Sequence, residues 1–186
     1  MRPPDVRLSA IHRIVPILGL ALSLAMGGAW AQDAVETKVK AAILVKLTKF
    51  VEWPADRLAP SAKLQICLLG ETPLTEVLQG MKNELSQNHA LEIVTLQSPS
   101  DRKSAECHVL YLGEDDTERM ETLSAQLRRP SLLTVGDARG FAEHGGIIEL
   151  VREGTHVAFR INLKTAKAAG LSINSQLLAL ATIVDP

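Results

Sequence analysis

The sequence has little cysteine and few aromatic side chains, with two Cys, two Trp, one Tyr and three Phe in 186 residues. No pair of Cys or His residues has the close spacing from which zinc sites are built, so we expect no metal. No predicted strand is followed by a Gly-x-Gly-x-x-Gly, Walker or Gly-x-Ser-x-Gly pattern. These absences leave nucleotide and hydrolase chemistry without support, and we expect neither a cofactor nor catalytic residues.

Residues 1–31 have the pattern of a cleavable export signal. Arg2, Arg7 and Arg13 precede an uncharged apolar stretch at 14–26. This stretch is shorter than the about 20 apolar residues that span a bilayer. Ala29 and Ala31 then have the small-x-small spacing of a signal peptidase site. The sequence predicts cleavage after Ala31 and one mature domain at residues 32–186, outside the cytoplasm.

The predicted mature chain is mildly acidic. Removal of residues 1–31 lowers the basic and acidic counts from 20 and 21 to 17 and 20. No stripe of Lys and Arg interleaved with aromatic residues is present. A phosphate backbone is negatively charged and is bound by basic surfaces, which this chain lacks. Nucleic acid is therefore excluded as a partner.

Cys67 and Cys107 are the only cysteines. An even number of cysteines in an exported chain favours a disulfide over free thiols. Each lies in or beside an apolar, strand-like segment, at 64–69 and 107–112. Metal binding through Cys107 and the adjacent His108 is the competing interpretation, and it lacks the paired ligand spacings of zinc sites.

Apolar periodicity predicts an α/β fold. Helical patterns run from near Val35 to Trp53 and from Thr72 to about Leu85. Continuous apolar segments at 64–69, 91–96, 107–112 and 131–135 indicate strands that are buried on both faces. Another helix is predicted from Asp115, and a last one through Leu177 and Val184. We expect a mostly parallel sheet with helices on both faces and a C-terminal antiparallel hairpin at 147–161.

A glycine-rich loop at 137–146 is the most unusual connection. It contains Phe141 and His144, and the hairpin that follows it carries Arg160. Phe141 either covers the sheet or contacts a partner, and an aromatic residue beside an Arg is the composition of binding hot spots. His144 is either a solvated loop residue or a ligand contact. We assign Phe141, Arg160 and His144 as candidate partner-binding residues.

The chain resembles the YfiR/HmsC-like family of periplasmic proteins over almost all of its mature length. Eight segments occur in the family's order, and no single one of them is specific. They are residues 40–54, 66–70, 107–112, 133–137, 140–142 with 145–147, 159–163, 169–171 and 175–178. At 43–47 the chain has Ile-Leu-Val-Lys-Leu, where the family usually has aromatic residues and Asn.

The resemblance implies a periplasmic α/β regulator without catalysis. The best-known members of the family bind the periplasmic portion of an inner-membrane diguanylate cyclase and hold it inactive. An outer-membrane OmpA-like lipoprotein relieves this repression. The resemblance also implies a bond between Cys67 and Cys107. A second cysteine pair of the family's best-studied member has no counterpart here, so its redox sensitivity does not carry over.

Two functions stay open from the sequence. The first is repression of a membrane-bound signalling protein, either a diguanylate cyclase or a sensor histidine kinase. The second is a small-ligand-binding module without enzymatic activity, with a pocket at the strand ends near Gly70, Gly113 and Phe141. The oligomeric state, monomer or homodimer, is open as well.

Overall fold

The computed structural model describes residues 27–98, 100–113, 127–154 and 156–185. Its helices are α1 (Gly27–Leu47), α2 (Leu74–Gly80), α3 (Leu163–Ala168) and α4 (Ser175–Leu178), with 3-10 turns at Thr48–Phe50 and Arg102–Glu106. Its strands are β1 (Val51–Glu52), β2 (Leu64–Leu69), β3 (Leu85–Ser86), β4 (His89–Leu96), β5 (Val109–Leu112), β6 (Leu133–Gly136), β7 (Ile148–Glu153), β8 (His156–Asn162), β9 (Ser172–Ile173) and β10 (Ala181–Val184).

Eight of these strands form the main sheet in the order β10-β8-β7-β6-β5-β2-β4-β3, and β1 pairs with β9 in a separate two-stranded sheet. The central strands β4, β2, β5, β6 and β7 are parallel. Strands β7 and β8 form an antiparallel hairpin, and β10 lies parallel to β8 at the outer edge. The predicted fold class, a mostly parallel α/β sheet with a C-terminal antiparallel hairpin, is confirmed.

Alternate side chains of the strands enter two separate cores, as the strand period of two requires. One core lies under α1 to α4 and contains Leu64, Ile66 and Leu68 of β2. The other, on the opposite face, contains Cys67 and Leu69 with Phe141 and Leu127. The helix predicted from Asp115 falls mostly outside the described residues, as do residues 1–26 of the predicted signal.

Several predicted boundaries are wrong. Helix α1 ends at Leu47 rather than at Trp53, because Val51 and Glu52 pair with β9. The helix after Thr72 ends at Gly80 and not near Leu85, which forms an edge strand with Ser86. The predicted last helix ends at Leu178. Residues 181–184 instead form β10, because β-branched Thr182 and Ile183 favour a strand and pair with β8.

Candidate functional site

A crevice opens where the strand order reverses. The chain passes from β2 to β4 on one side and then returns to β5 on the other side of β2. In parallel α/β sheets this switch point leaves a cleft beyond the carboxyl ends of the strands, where ligands commonly bind. Here the cavity measures about 600 Å³ and is lined by Gly70 after β2, Gly113 after β5 and Asp137 after β6.

Four charged side chains cross this crevice as one network. Lys40 of α1 donates to Asp137 Oδ2 at 2.6 Å and lies 3.1 Å from Glu36 Oε1, one helical turn away. Arg152 of β7 donates to the other oxygen of Glu36 at 2.7 Å. The network joins α1 to β6 and β7, so it fixes the helix against the carboxyl ends of the strands.

The network also sets the charge state of Lys40. Partial burial of its ammonium lowers the pKa, but the hydrogen bonds and the negative charges of Asp137 and Glu36 outweigh this effect and raise the pKa of Lys40 above its ordinary value. Lys40 therefore stays protonated as a paired cation, and it is a poor candidate for a general base.

The loop at 137–146 is held from below by a buried acid, Glu149 of β7. Its two carboxylate oxygens accept the backbone N–H groups of Gly140 at 3.0 Å and Ala142 at 3.1 Å. Asn162 of β8 is fully buried and donates its side-chain amide to the Ala142 carbonyl at 2.9 Å. The loop is thus anchored to the sheet by side chains and is not a solvated connection.

Phe141 is completely buried at the centre of this loop. Its ring lies against Gly136 and Gly146, and a Cβ built on Gly146 would be 2.2 Å from Phe141 Cε1. Only glycine leaves room for the ring at these two positions. The interpretation of Phe141 as an exposed anchor for a partner is wrong, because its side chain packs down on the sheet.

Arg160 and His144 lie on the outer side of the same loop. Arg160 donates to Glu143, and its other terminal nitrogen is 3.7 Å from Glu149 Oε1. His144 is exposed, with Nδ1 2.7 Å from the Gly140 carbonyl oxygen. Arg160 therefore contacts the residue that precedes His144, whereas Phe141 is buried under the loop. Their role in partner binding stays a prediction.

Cys67 of β2 and Cys107 before β5 are joined by a disulfide, and their Cα atoms are 5.8 Å apart. Both cysteines are buried in the core that also contains Phe141. No group of three or more potential metal-ligating side chains occurs within the described residues.

The neighbouring His108 is held as a neutral imidazole. Nδ1 accepts the backbone N–H of Gln65 at 3.1 Å, so the ring proton is on Nε2, which lies 3.2 Å from the Arg57 carbonyl oxygen. Burial lowers the pKa of His108, and the bond to Arg57 only partly opposes this effect. Its ring also meets Trp53 edge-on, with 6.5 Å between ring centroids.

Sequence reasoning missed the residues that organise this region, above all Glu149, Asp137 and Lys40. Glu149 gave one usable signal, since it is the acid within the otherwise apolar segment 147–151 and such residues need internal partners. Glu36 and Lys40 gave another, because they are four residues apart on one helix face. The contact of Lys40 with Asp137 spans 97 residues and has no local signal.

The sequence profile of the YfiR/HmsC-like family matches residues 37–182. The matched range contains the crevice loops, the disulfide, Glu149 and Arg160. The chain therefore belongs to the YfiR/HmsC-like family, as its sequence segments predict. The curated proteins contain no match.

Two solved structures are similar to part of this chain. One is the ABC domain in complex with L-Trp from Streptococcus pneumonia, with a TM-score of 0.46 and 13% identity over 70% of this chain and 58% of that chain. The other is a conserved domain protein from Vibrio cholerae O1 biovar El Tor, with a TM-score of 0.47 and 18% identity over 70% and 57%. This chain thus spans less than two thirds of either protein.

The YfiR/HmsC-like family consists of periplasmic regulators in cyclic-di-GMP signalling and is not known for enzymatic activity. Within the described residues, no helix is both long enough and apolar enough to cross a membrane.

Proposed function

We propose that this chain is exported to the periplasm, binds the periplasmic portion of an inner-membrane signalling protein and holds that protein inactive. The match to the YfiR/HmsC-like family over residues 37–182 is the observation that carries the proposal. The partner is a diguanylate cyclase or, in the second version, a sensor histidine kinase. An outer-membrane OmpA-like lipoprotein is the candidate that relieves repression.

The sequence pattern of residues 1–31 supports export. The acting form is then a single domain of residues 32–186, beginning in the first turns of α1. Mass spectrometry of the protein from a periplasmic extract should find Gln32 at or within a residue or two of the N-terminus. A full-length product retained in the membrane would contradict export.

The outer edge of β10 is the surface that best suits a protein partner. No strand of the described residues pairs with this edge, so its backbone N–H and C=O groups are available for strand addition. Leu180 before β10 is 74% exposed and Ile183 within it is 42% exposed. Arg160 lies beside Thr182 in the neighbouring strand. Apolar contact, open backbone and a nearby Arg together favour binding of a protein segment.

The opposite edge of the sheet is a two-residue strand, β3, with a side chain bound to the segment that follows α1. Ser86 of β3 is buried and hydrogen-bonds Thr48 at 2.5 Å. The amide of Gln87 donates to the Thr48 and Val51 carbonyls at 3.0 and 2.8 Å. These contacts tie β3 to the segment that follows α1, and β3 has only two residues, so this edge is less suited to strand addition than β10 although Leu85 is exposed.

Deletion of the gene tests the proposal in cells that express the candidate partner. Loss of the repressor should raise cellular cyclic-di-GMP several-fold, measured by mass spectrometry of nucleotide extracts. The kinase version predicts instead a rise in phosphorylated response regulator in the same strains. Full-length chain should restore the low level, whereas a matched copy without residues 1–31 should stay in the cytoplasm and fail to do so. No change in either output on deletion would contradict repression.

A further inference from the structure

The carboxylate of Asp137 is buried and only half of it is paired. Its side chain is 8% exposed, and Oδ2 accepts from Lys40. Oδ1 is also buried and has no hydrogen-bond partner among the described residues. Buried polar atoms are almost always satisfied, because an unpaired one loses its hydration without compensation. Asp137 lines the crevice at the switch point, so a bound molecule with an N–H donor could complete its hydrogen bonding.

The charge of the crevice wall favours a cation. Glu36 and Asp137 are balanced by Lys40 and Arg152 within the network described above. Two further carboxylates, Asp33 and Glu71, also line the crevice, and both residues are exposed. Neither of these two carboxylates has an ion pair or a side-chain hydrogen bond in the described part of the chain. The described part of the wall therefore has two unpaired carboxylates in addition to the unpaired oxygen of Asp137.

We propose that this crevice binds a small organic cation with two or more primary ammonium groups, a diamine or a polyamine. One ammonium group donates to Asp137 Oδ1, and a second faces Glu71 or Asp33 at the mouth. The cavity of about 600 Å³ lies within the range of small-molecule sites, about 300 to 1,000 Å³. An ammonium group suits Asp137 because it combines positive charge with three N–H donors.

Other ligand classes fit the wall less well. A hard divalent metal ion takes six or more oxygen ligands, and the described residues contain no group of three side chains placed to hold one. A carboxylate or phosphate ligand would meet the surplus of negative charge. It would also have to share Lys40 and Arg152 with Glu36, which is already paired with both cations.

Isothermal titration calorimetry of the periplasmic protein with putrescine and spermidine tests the site. Both amines should bind saturably, and Asp137→Asn should weaken binding at least about tenfold, as expected for a charged hydrogen bond. Glu71→Gln should weaken binding by a smaller factor. Glu52→Gln removes the same charge from exposed β1, outside the crevice, and should leave binding unchanged.

The alternatives give different results. Equal weakening by Glu52→Gln and Glu71→Gln would mean non-specific attraction and would overturn the site. Absence of saturable amine binding, or competitive binding of calcium or magnesium ions, would overturn the ligand class. Circular dichroism shows whether Asp137→Asn folds. If it does not, the double variant Asp33→Asn with Glu71→Gln decides, since both residues are exposed and their substitution removes no described side-chain bond. Unweakened amine binding in that double variant would overturn the site.

Discussion

Helices α1 to α4 cover one face of the main sheet with aliphatic side chains, whereas the described part of the opposite face includes a disulfide, Phe141, Leu127 and a loop bound to buried Glu149. The helical face consists of many interchangeable apolar contacts, of the kind that tolerate substitution when volume is kept. In the described part of the loop face, bonds between particular atoms hold the loop, among them those of Glu149 to the amides of Gly140 and Ala142. The two faces should therefore respond differently to single substitutions.

Phe141→Ala should give the largest effect on the loop face. It removes a fully buried ring from between Gly136 and Gly146, and truncations of this type cost about 3–5 kcal/mol of unfolding free energy. Urea unfolding of the purified protein measures the loss. Leu180→Ala is the matched control, because Leu180 is 74% exposed and its truncation should change stability little. Equal effects of the two substitutions would contradict the burial of Phe141.

Cys67→Ser should reduce stability by about 2–5 kcal/mol, because the open chain gains conformational freedom when the 40-residue link is lost. The same unfolding measurement under reducing conditions provides a control, since reductant should destabilise the wild type and leave Cys67→Ser unchanged. Peptide mapping without reductant should find the Cys67–Cys107 link in periplasmic protein. Two alkylatable thiols in that material would contradict the bond.

Glu149→Gln should have an intermediate effect of about 1–3 kcal/mol. It keeps the shape of the side chain but replaces one of the two oxygens that accept from Gly140 and Ala142. Hydrogen exchange of those two amides should accelerate more than exchange in α1. Glu153→Gln, an exposed acid on the same strand, should leave exchange in the loop unchanged. Unaltered exchange at Gly140 and Ala142 in Glu149→Gln would show that Glu149 does not hold the loop.

The smallest effect should come from pH. The folded-state pKa of His108 is below the unfolded value of 6.5, so its contribution to stability is complete above that pH and is lost as pH falls below it. The melting temperature should therefore decrease as the pH is lowered from about 7 to about 5.5, a range that includes the unfolded pKa of His. The decrease should be smaller in His108→Gln. A melting temperature that rises on acidification in wild type only would contradict the neutral, buried His108.

The parts of the fold that were predictable have local causes. The apolar segment at 64–69 and the cap of α3 by Asn162, whose Oδ1 accepts from Thr165 at 2.8 Å, are both visible in a few neighbouring residues. The fate of residues 181–184 was not predictable in this way, because their helical spacing of apolar residues was overridden by pairing with β8. Tertiary contact decided the outcome there.

The candidate site divides in the same way. The loops after β2, β5 and β6 were predictable as a cleft from strand alternation. The burial of Phe141 was not, because it depends on the absence of a Cβ at Gly136 and Gly146 and on the acceptor that Glu149 provides from the next strand. Glycines on both sides of an aromatic residue are a usable sequence signal for such packing, and Gly136 and Gly146 flank Phe141 in this way.

The central claim, repression through contact with a protein partner, is tested most directly by comparing the two edges of the sheet. Leu180→Ser and Leu85→Ser make the same change at exposed positions beside β10 and in β3. Each variant is expressed in the deletion strain at equal periplasmic level, and cyclic-di-GMP or kinase output is measured. We expect Leu180→Ser to lose most of its repression and Leu85→Ser to repress like the wild type. Full repression by Leu180→Ser, or equal loss in both variants, would contradict binding through the β10 edge.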